Sequence, residues 1–177
     1  MSSAKFACSS VGHLYVVATP IGNLDDMVPR AVSTLKSADY VAAEDTRHSG
    51  KLLKHFGVDT PMLAFHEHNE SERTAHLVAL LESGSSIALI SDAGTPLVSD
   101  PGWKLSREAL DAGHVVIPLP GPSALLAGLV ASGLPSDRFM FCGFLSAKSG
   151  ARRSTATELS RVPATLVFYE TGPRLAA

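Results

Sequence analysis

Apolar positions along the chain follow two rhythms. Leu14–Ala18, Tyr40–Ala43, Met62–Phe65, Ile87–Ser91 and Val115–Leu119 are short apolar or β-branched runs flanked by Gly, Pro, Asp or Ser, and they read as strands. Between them apolar residues recur at helical spacing. Pro29, after Asp25 and Asp26, suits the first turn of a helix carrying Val32 and Leu35. Leu52, Leu53 and Phe56 run up to Gly57; Leu77, Leu80 and Leu81 to Gly84; Trp103, Ser106, Ala109 and Leu110 to Gly113, each glycine standing where a helix ends. Asn69, with Glu72 three residues on, has capping-box spacing.

Strands separated by single helices predict an α/β fold: a mostly parallel five-stranded sheet, helices on both faces, joined by right-handed crossovers. Ligands of such sheets bind outside the carboxyl ends of the strands. The polar segments to examine are therefore Thr19–Asn23, Glu44–Arg47, His66–Asn69, Asp92–Asp100 and Pro120–Ser123. Gly, Pro and Ser cluster at Ala131–Asp137 after a helix predicted over Pro122–Val130. The expected organisation is a loose tail over 1–12, an α/β domain over 13–134, and over 135–177 the beginning of a truncated second α/β domain. Two further strands, Phe139–Gly143 and Thr165–Tyr169, with a basic segment between them, are too little chain to bury a core of their own.

Composition narrows the class. With 177 residues, 45% of them hydrophobic, the chain needs neither disulfides nor a structural metal to hold a core. Cys8 and Cys142 form no paired spacing, no apolar run approaches a membrane span, and residues 1–12 lack the apolar stretch of an export signal, so a cytoplasmic protein without membrane contact is expected. Charge is uneven: residues 1–137 are net −6 and residues 138–177 net +4, which makes the C-terminal stretch the expected attractor of a polyanion. Those basic residues suit a solvated surface equally well.

Neither GxGxxG nor GxxxxGK[ST] follows a strand, so no dinucleotide or P-loop site is supported. The strand edge instead carries ATPIGNLDD, AEDTR (Glu44, Asp45, Thr46, Arg47), FHEHNE (His66, His68, Asn69) and the long irregular loop SDAGTPLVSDPG from Ser91 to Gly102. A loop of that length between a strand and its helix can offer main-chain donors and acceptors to a flat polar ligand. Five of the seven histidines fall between His48 and His76, yet none has the ligand spacing of a zinc site, and no metal is expected. Asp45 and Ser123 also fit simple helix N-caps.

In this order, LYVVATPIGNLDD, VAAEDTR, FHEHNE, ALISDAGTPLVSDPG, PLPGPSAL, GLPSDRFMFCGFL and TLVFYE resemble the tetrapyrrole methylase superfamily, and within it the ribosomal RNA branch, from about His13 to the last residue. The resemblance implies S-adenosyl-L-methionine as cofactor, bound in a cleft between two α/β domains, and a homodimer. It implies 2′-O-methylation of a cytidine ribose in small-subunit (16S) ribosomal RNA, free or in the 30S subunit. Carried over by position, the cofactor contacts are Ile21, Asp92, Ala93, Gly94, Thr95, Val98, Asp100, Ser123, Ala124, Tyr169 and Glu170. Thr95 stands where many tetrapyrrole-modifying members have an aspartate, which favours the RNA branch. TGPRL at Thr171–Leu175 departs from the STHRL-like string of that branch, with Pro173 in place of a histidine, so the role of that histidine does not carry over. By position at the strand edge, Glu44, Asp45 and His66 are the candidate catalytic bases, with Thr46, Arg47, His68 and Asn69 positioning the substrate. A small-tetrapyrrole methylase and a cofactor-binding module without turnover are the alternatives.

Overall fold

The computed structural model describes residues 11–175, which fall into two compact units dividing between Pro122 and Ser123. Cys8 and most of the expected tail lie outside the described residues.

The first unit runs β1 (His13–Val17), α1 (Pro29–Ser37), β2 (Tyr40–Ala43), α2 (Thr46–His55), β3 (Met62–Ala64), α3 (Glu70–Glu82), β4 (Ile87–Ile90), α4 (Trp103–Asp111) and β5 (Val115–Leu119). The strands form one parallel sheet in the order β3-β2-β4-β1-β5. Alternation along each strand divides the core between two faces. Val17, Val41, Ala43, Ala88 and Ile90 point to the side packed by Ala31 and Leu35 of α1 and Leu53 of α2. Leu14, Ala42, Ile87 and Leu89 point to the side packed by Leu77 and Leu81 of α3 and Leu105 and Ala109 of α4.

Helix placement determines where a ligand can enter. Across the sheet, β3, β2, β4 and β1 hand their chains to α3, α2, α4 and α1, which lie on alternating faces. Every neighbouring pair of these strands therefore diverges at its carboxyl edge and opens a crevice there.

Three helices stop as expected. Gly57, Gly84 and Gly113 take φ of +61°, +90° and +83°, and the amides of Val58, Ser85 and His114 donate back to Leu53, Leu80 and Ala109 in the Schellman pattern. The Asn69 capping box does not form. Asn69 makes no side-chain bond to α3; its Oδ1 accepts from the His66 amide at 2.8 Å and its Nδ2 donates to the Ala64 carbonyl at 3.2 Å. A short amide side chain bonds its own loop as readily as a helix end, and here the loop wins.

The second unit contains α5 (Ala124–Ala131), β6 (Phe139–Phe144), α6 (Ser149–Leu159) and β7 (Thr165–Tyr169), with β6 and β7 paired in parallel. The helix predicted from Pro122 starts at Ala124, capped by the Ser123 hydroxyl.

Candidate active site

The loops leaving β1 and β4 are joined. The Thr19 amide donates to the Gly94 carbonyl at 2.8 Å, the Gly94 amide donates to the Thr19 carbonyl at 3.0 Å, and the fully buried Thr19 hydroxyl donates to the Ser91 carbonyl at 3.2 Å. The long loop is held at two more points: the Thr95 hydroxyl donates to the Pro122 carbonyl at 3.2 Å, and the Gly102 amide donates to Glu70 Oε1 at 3.0 Å. Between them Leu97 and Ser99 adopt φ of 72° and 66°. Left-handed backbone at non-glycine residues persists only where surrounding contacts over-determine it. Ala93, Gly94, Thr95 and Val98 thus sit in fixed rather than adaptable backbone.

Carboxylates from three strand ends converge beside this loop. Glu44, Glu67, Glu70 and Asp100 line a cleft of about 330 Å³. Burial raises the Glu44 carboxyl above its ordinary pKa, and the charges of Asp100 and Asp92 raise it further. Burial likewise raises Asp100, with Asp92 adding to it and the Ser91 side chain opposing. Among the described residues none of Glu44, Asp92 or Asp100 has a cationic partner. Such a group is stabilised by an arriving positive charge.

Asp45 has a different position from Glu44. Its Oδ1 accepts from the amides of Arg47 at 2.8 Å and His48 at 3.3 Å, capping α2, and these bonds lower its pKa. Its own amide donates to Asp92 Oδ1 at 3.1 Å, tying the start of α2 to the loop after β4. Thr46 opens α2, while Arg47 is almost fully exposed with Nε 3.6 Å from Asp45 Oδ1. His66 has a buried Nδ1 without a hydrogen-bond partner, and its ring centroid lies 6.0 Å from that of the exposed His68. Asn69 fixes the His66 main chain through Oδ1 and ties back to Ala64 through Nδ2, each atom using one of its two hydrogen-bonding positions. Among the described residues no group of three or more His, Cys, Asp or Glu is arranged to hold a metal ion.

A second cavity, of about 520 Å³, lies between the first loop and α2; Ile21, Leu24, Leu52, Lys51, Asp92 and Ala93 are among its walls. Asp92 therefore serves both places, lining this cavity and acting on Glu44 in the cleft. In the second unit, Ser123 caps α5, Ala124 begins it, and Tyr169 packs its ring 4.7 Å from that of Phe141. Glu170 pairs with Arg174 at 3.0 Å and accepts from the Thr171 amide at 2.7 Å.

Sequence reasoning pointed to Thr19–Asn23 and to the loop ending at Gly102 but gave neither Thr19 nor Gly102 a partner, and it passed over Glu70. A buried threonine after a strand and a glutamate opening a helix look ordinary in one dimension, and only the loop closure gives them a role.

The sequence profile of the Tetrapyrrole (Corrin/Porphyrin) Methylases matches residues 13–177. Proteins described as "Ribosomal RNA small subunit methyltransferase I" are 56% identical over 166 residues in Pseudomonas aeruginosa, 51% over 175 in Escherichia coli O157:H7 and 58% over 163 in Mesorhizobium japonicum. These alignments cover 94%, 99% and 92% of this chain but 59%, 61% and 55% of the relatives, so the chain spans about three fifths of their length. In fold it is similar to a diphthine synthase (TM-score 0.68, 18% identity, 91% of this chain and 65% of that one). It is similar also to a uroporphyrin III C-methyltransferase from Thermus thermophilus (TM-score 0.59, 22% identity, 92% and 72%).

Proposed function

The chain belongs to the tetrapyrrole (corrin/porphyrin) methylase family, and on that premise we propose that the complete protein transfers a methyl group from S-adenosyl-L-methionine to the 2′-oxygen of a cytidine ribose in small-subunit ribosomal RNA. The observation that carries it is more than 50% identity, across nearly the whole chain, to relatives described as small-subunit ribosomal RNA methyltransferases. In this proposal the protein works in the cytoplasm as a homodimer, on the free RNA or the 30S subunit.

The residues present suit the donor. Among the described residues, and apart from its chain neighbours, nothing lies within 4 Å of where a Cβ on Gly22 would stand, and Glu44, Asp92 and Asp100, which have no cationic partner there, favour a cationic ligand. Ile21, Asp92, Ala93, Gly94, Thr95, Val98 and Asp100 would hold it. When bound, the donor supplies a methyl already activated on a sulfonium. The protein's part is alignment of the sugar oxygen, which can lower a barrier by about 7–11 kcal/mol, and removal of its proton, worth about 10²–10⁴-fold.

Glu44 is the base in this mechanism. Its raised pKa makes it a stronger proton acceptor than Asp45, whose lone pairs already serve two amides. As the 2′-oxygen attacks, its proton passes to the Glu44 carboxylate, and His66, held by Asn69, orients the ribose. The decisive experiment supplies the complete protein with labelled donor and either small ribosomal subunits or small tetrapyrroles. Label should enter ribose of the RNA; label in the tetrapyrrole alone would replace this function with the family's other substrate class.

A further inference from the structure

We infer that the outer face of α2 is the surface along which the phosphodiester backbone of the RNA substrate lies; this rests on the methyltransferase function just proposed. Every exposed position of α2 is a lysine, an arginine or a histidine: Arg47, His48, Lys51, Lys54 and His55. Their spacing of 0, 1, 4, 7 and 8 residues puts all five on one side of the helix, and Ser49 and Leu53 are buried on the other.

The surroundings make this face unusual. The segment up to Pro122 holds nine Lys and Arg against fourteen Asp and Glu, yet no acid occurs between Thr46 and Gly57. Lys51 and Lys54 form no ion pair among the described residues, whereas Arg107 on α4 is neutralised by Asp111 at 2.8 Å. Helix stability does not account for the pattern. Lys54 and His55 are favourable in a last turn, but Arg47 and His48 occupy the first turn, where the helix dipole disfavours positive charge.

The position of the face agrees with its chemistry. His48, Lys51 and His55 line the larger cavity together with Ile21 and Asp92, so the cationic strip begins at its mouth. Asp45 ties the same end of α2 to Asp92, one of the charges acting on Glu44. A strand whose phosphates follow α2 is thereby led to the reacting edge of the sheet. The acidic-to-basic tally along the chain pointed to residues 138–177 instead, because summing over long segments hides one helix face among acidic loop ends.

The test uses the complete protein and a protein-free fragment of small-subunit ribosomal RNA, with affinity followed from ~50 to ~200 mM salt, a range over which phosphate contacts are strongly screened. Neutralising both lysines, Lys51→Gln with Lys54→Gln, should reduce the slope of log affinity against log salt by roughly 1.4–1.8, at about 0.7–0.9 per lost phosphate contact. Arg107→Gln, on the opposite side of the sheet, should keep the wild-type slope. An unchanged slope in the lysine variant, or an equal reduction in the Arg107 control, overturns the inference. So does weakened binding to the assembled subunit with normal binding to free RNA, which would set a ribosomal protein against this face. If wild-type protein methylates the RNA while the lysine variant keeps its slope, only the surface is wrong. If wild-type protein transfers no methyl to RNA, the proposed function fails and takes the surface with it.

Discussion

Glu44 and Asp45 are adjacent in the chain and opposite in character. Both follow β2, but Asp45 gives its oxygen to the first amides of α2, while Glu44 shares a half-buried cleft with Asp100 and feels the charge of Asp92. In the complete protein Glu44→Gln should lower kcat about 10²–10⁴-fold. With Glu44 as the proposed base, the acid limb of the wild-type pH–rate profile should lie above the usual carboxylate range, because the carboxyl must be ionised and its pKa is raised; in the variant that limb should vanish. The same shift has a stability sign. A carboxyl whose folded pKa exceeds its unfolded value of about 4.3 loses stability as pH rises through the folded pKa. Glu44→Gln should therefore raise Tm at neutral pH and leave it nearly unchanged below pH ~4, where both states carry the proton. A variant with normal turnover, or with no stability gain at neutral pH, would remove Glu44 from the role of buried base.

At the scale of elements, the order of strands and helices and the glycine stops were legible because each depends on local period and on φ. The strand runs from Leu14 to Leu119 match the observed strands to within a residue at either end. What depends on competition within a loop or on contacts between distant loops was not legible: Asn69 bonding its own loop, Thr19 closing onto Gly94, Glu70 holding Gly102. The last of these can be tested. Gly102 has φ +124°, and a Cβ there would lie 2.7 Å from Leu89 Cδ2 and 3.1 Å from Leu97 Cδ1. Gly102→Ala should combine left-handed strain with overpacking and destabilise the fold by about 2–5 kcal/mol, read from the midpoint of chemical denaturation. Gly22→Ala, at φ +139° with nothing but its chain neighbours near the new Cβ among the described residues, carries only the backbone strain and should cost distinctly less. Equal costs at the two positions would mean that the loop after β4 relaxes freely, against the pinning that Thr19, Pro122 and Glu70 impose.

Across the whole chain the two units differ in how well they cover their apolar residues. In the first unit both faces of the sheet are packed by helices, and two sets of buried side chains result. In the second unit α5 has the sequence ALLAGLVA, yet only Leu129 is buried. Val130 is 80% exposed and Leu134 57%, and Phe139, Met140 and Phe144 of β6 are exposed as well. Large apolar side chains left exposed in such number mark a place where other protein belongs. The relatives, in which the aligned part is about three fifths of the length, contain further chain. The 177-residue chain expressed alone should therefore bind an apolar dye such as ANS and self-associate as its concentration rises, measured by light scattering. A longer protein carrying the additional stretch of the relatives should lose the dye binding. Replacing Val130 and Leu134 by Lys should suppress association of the shorter chain while leaving the denaturation midpoint of the first unit in place, since neither residue belongs to either of its buried clusters. If the shorter chain stays monomeric and dye-free, the exposed side chains of α5 and β6 do not form an association surface.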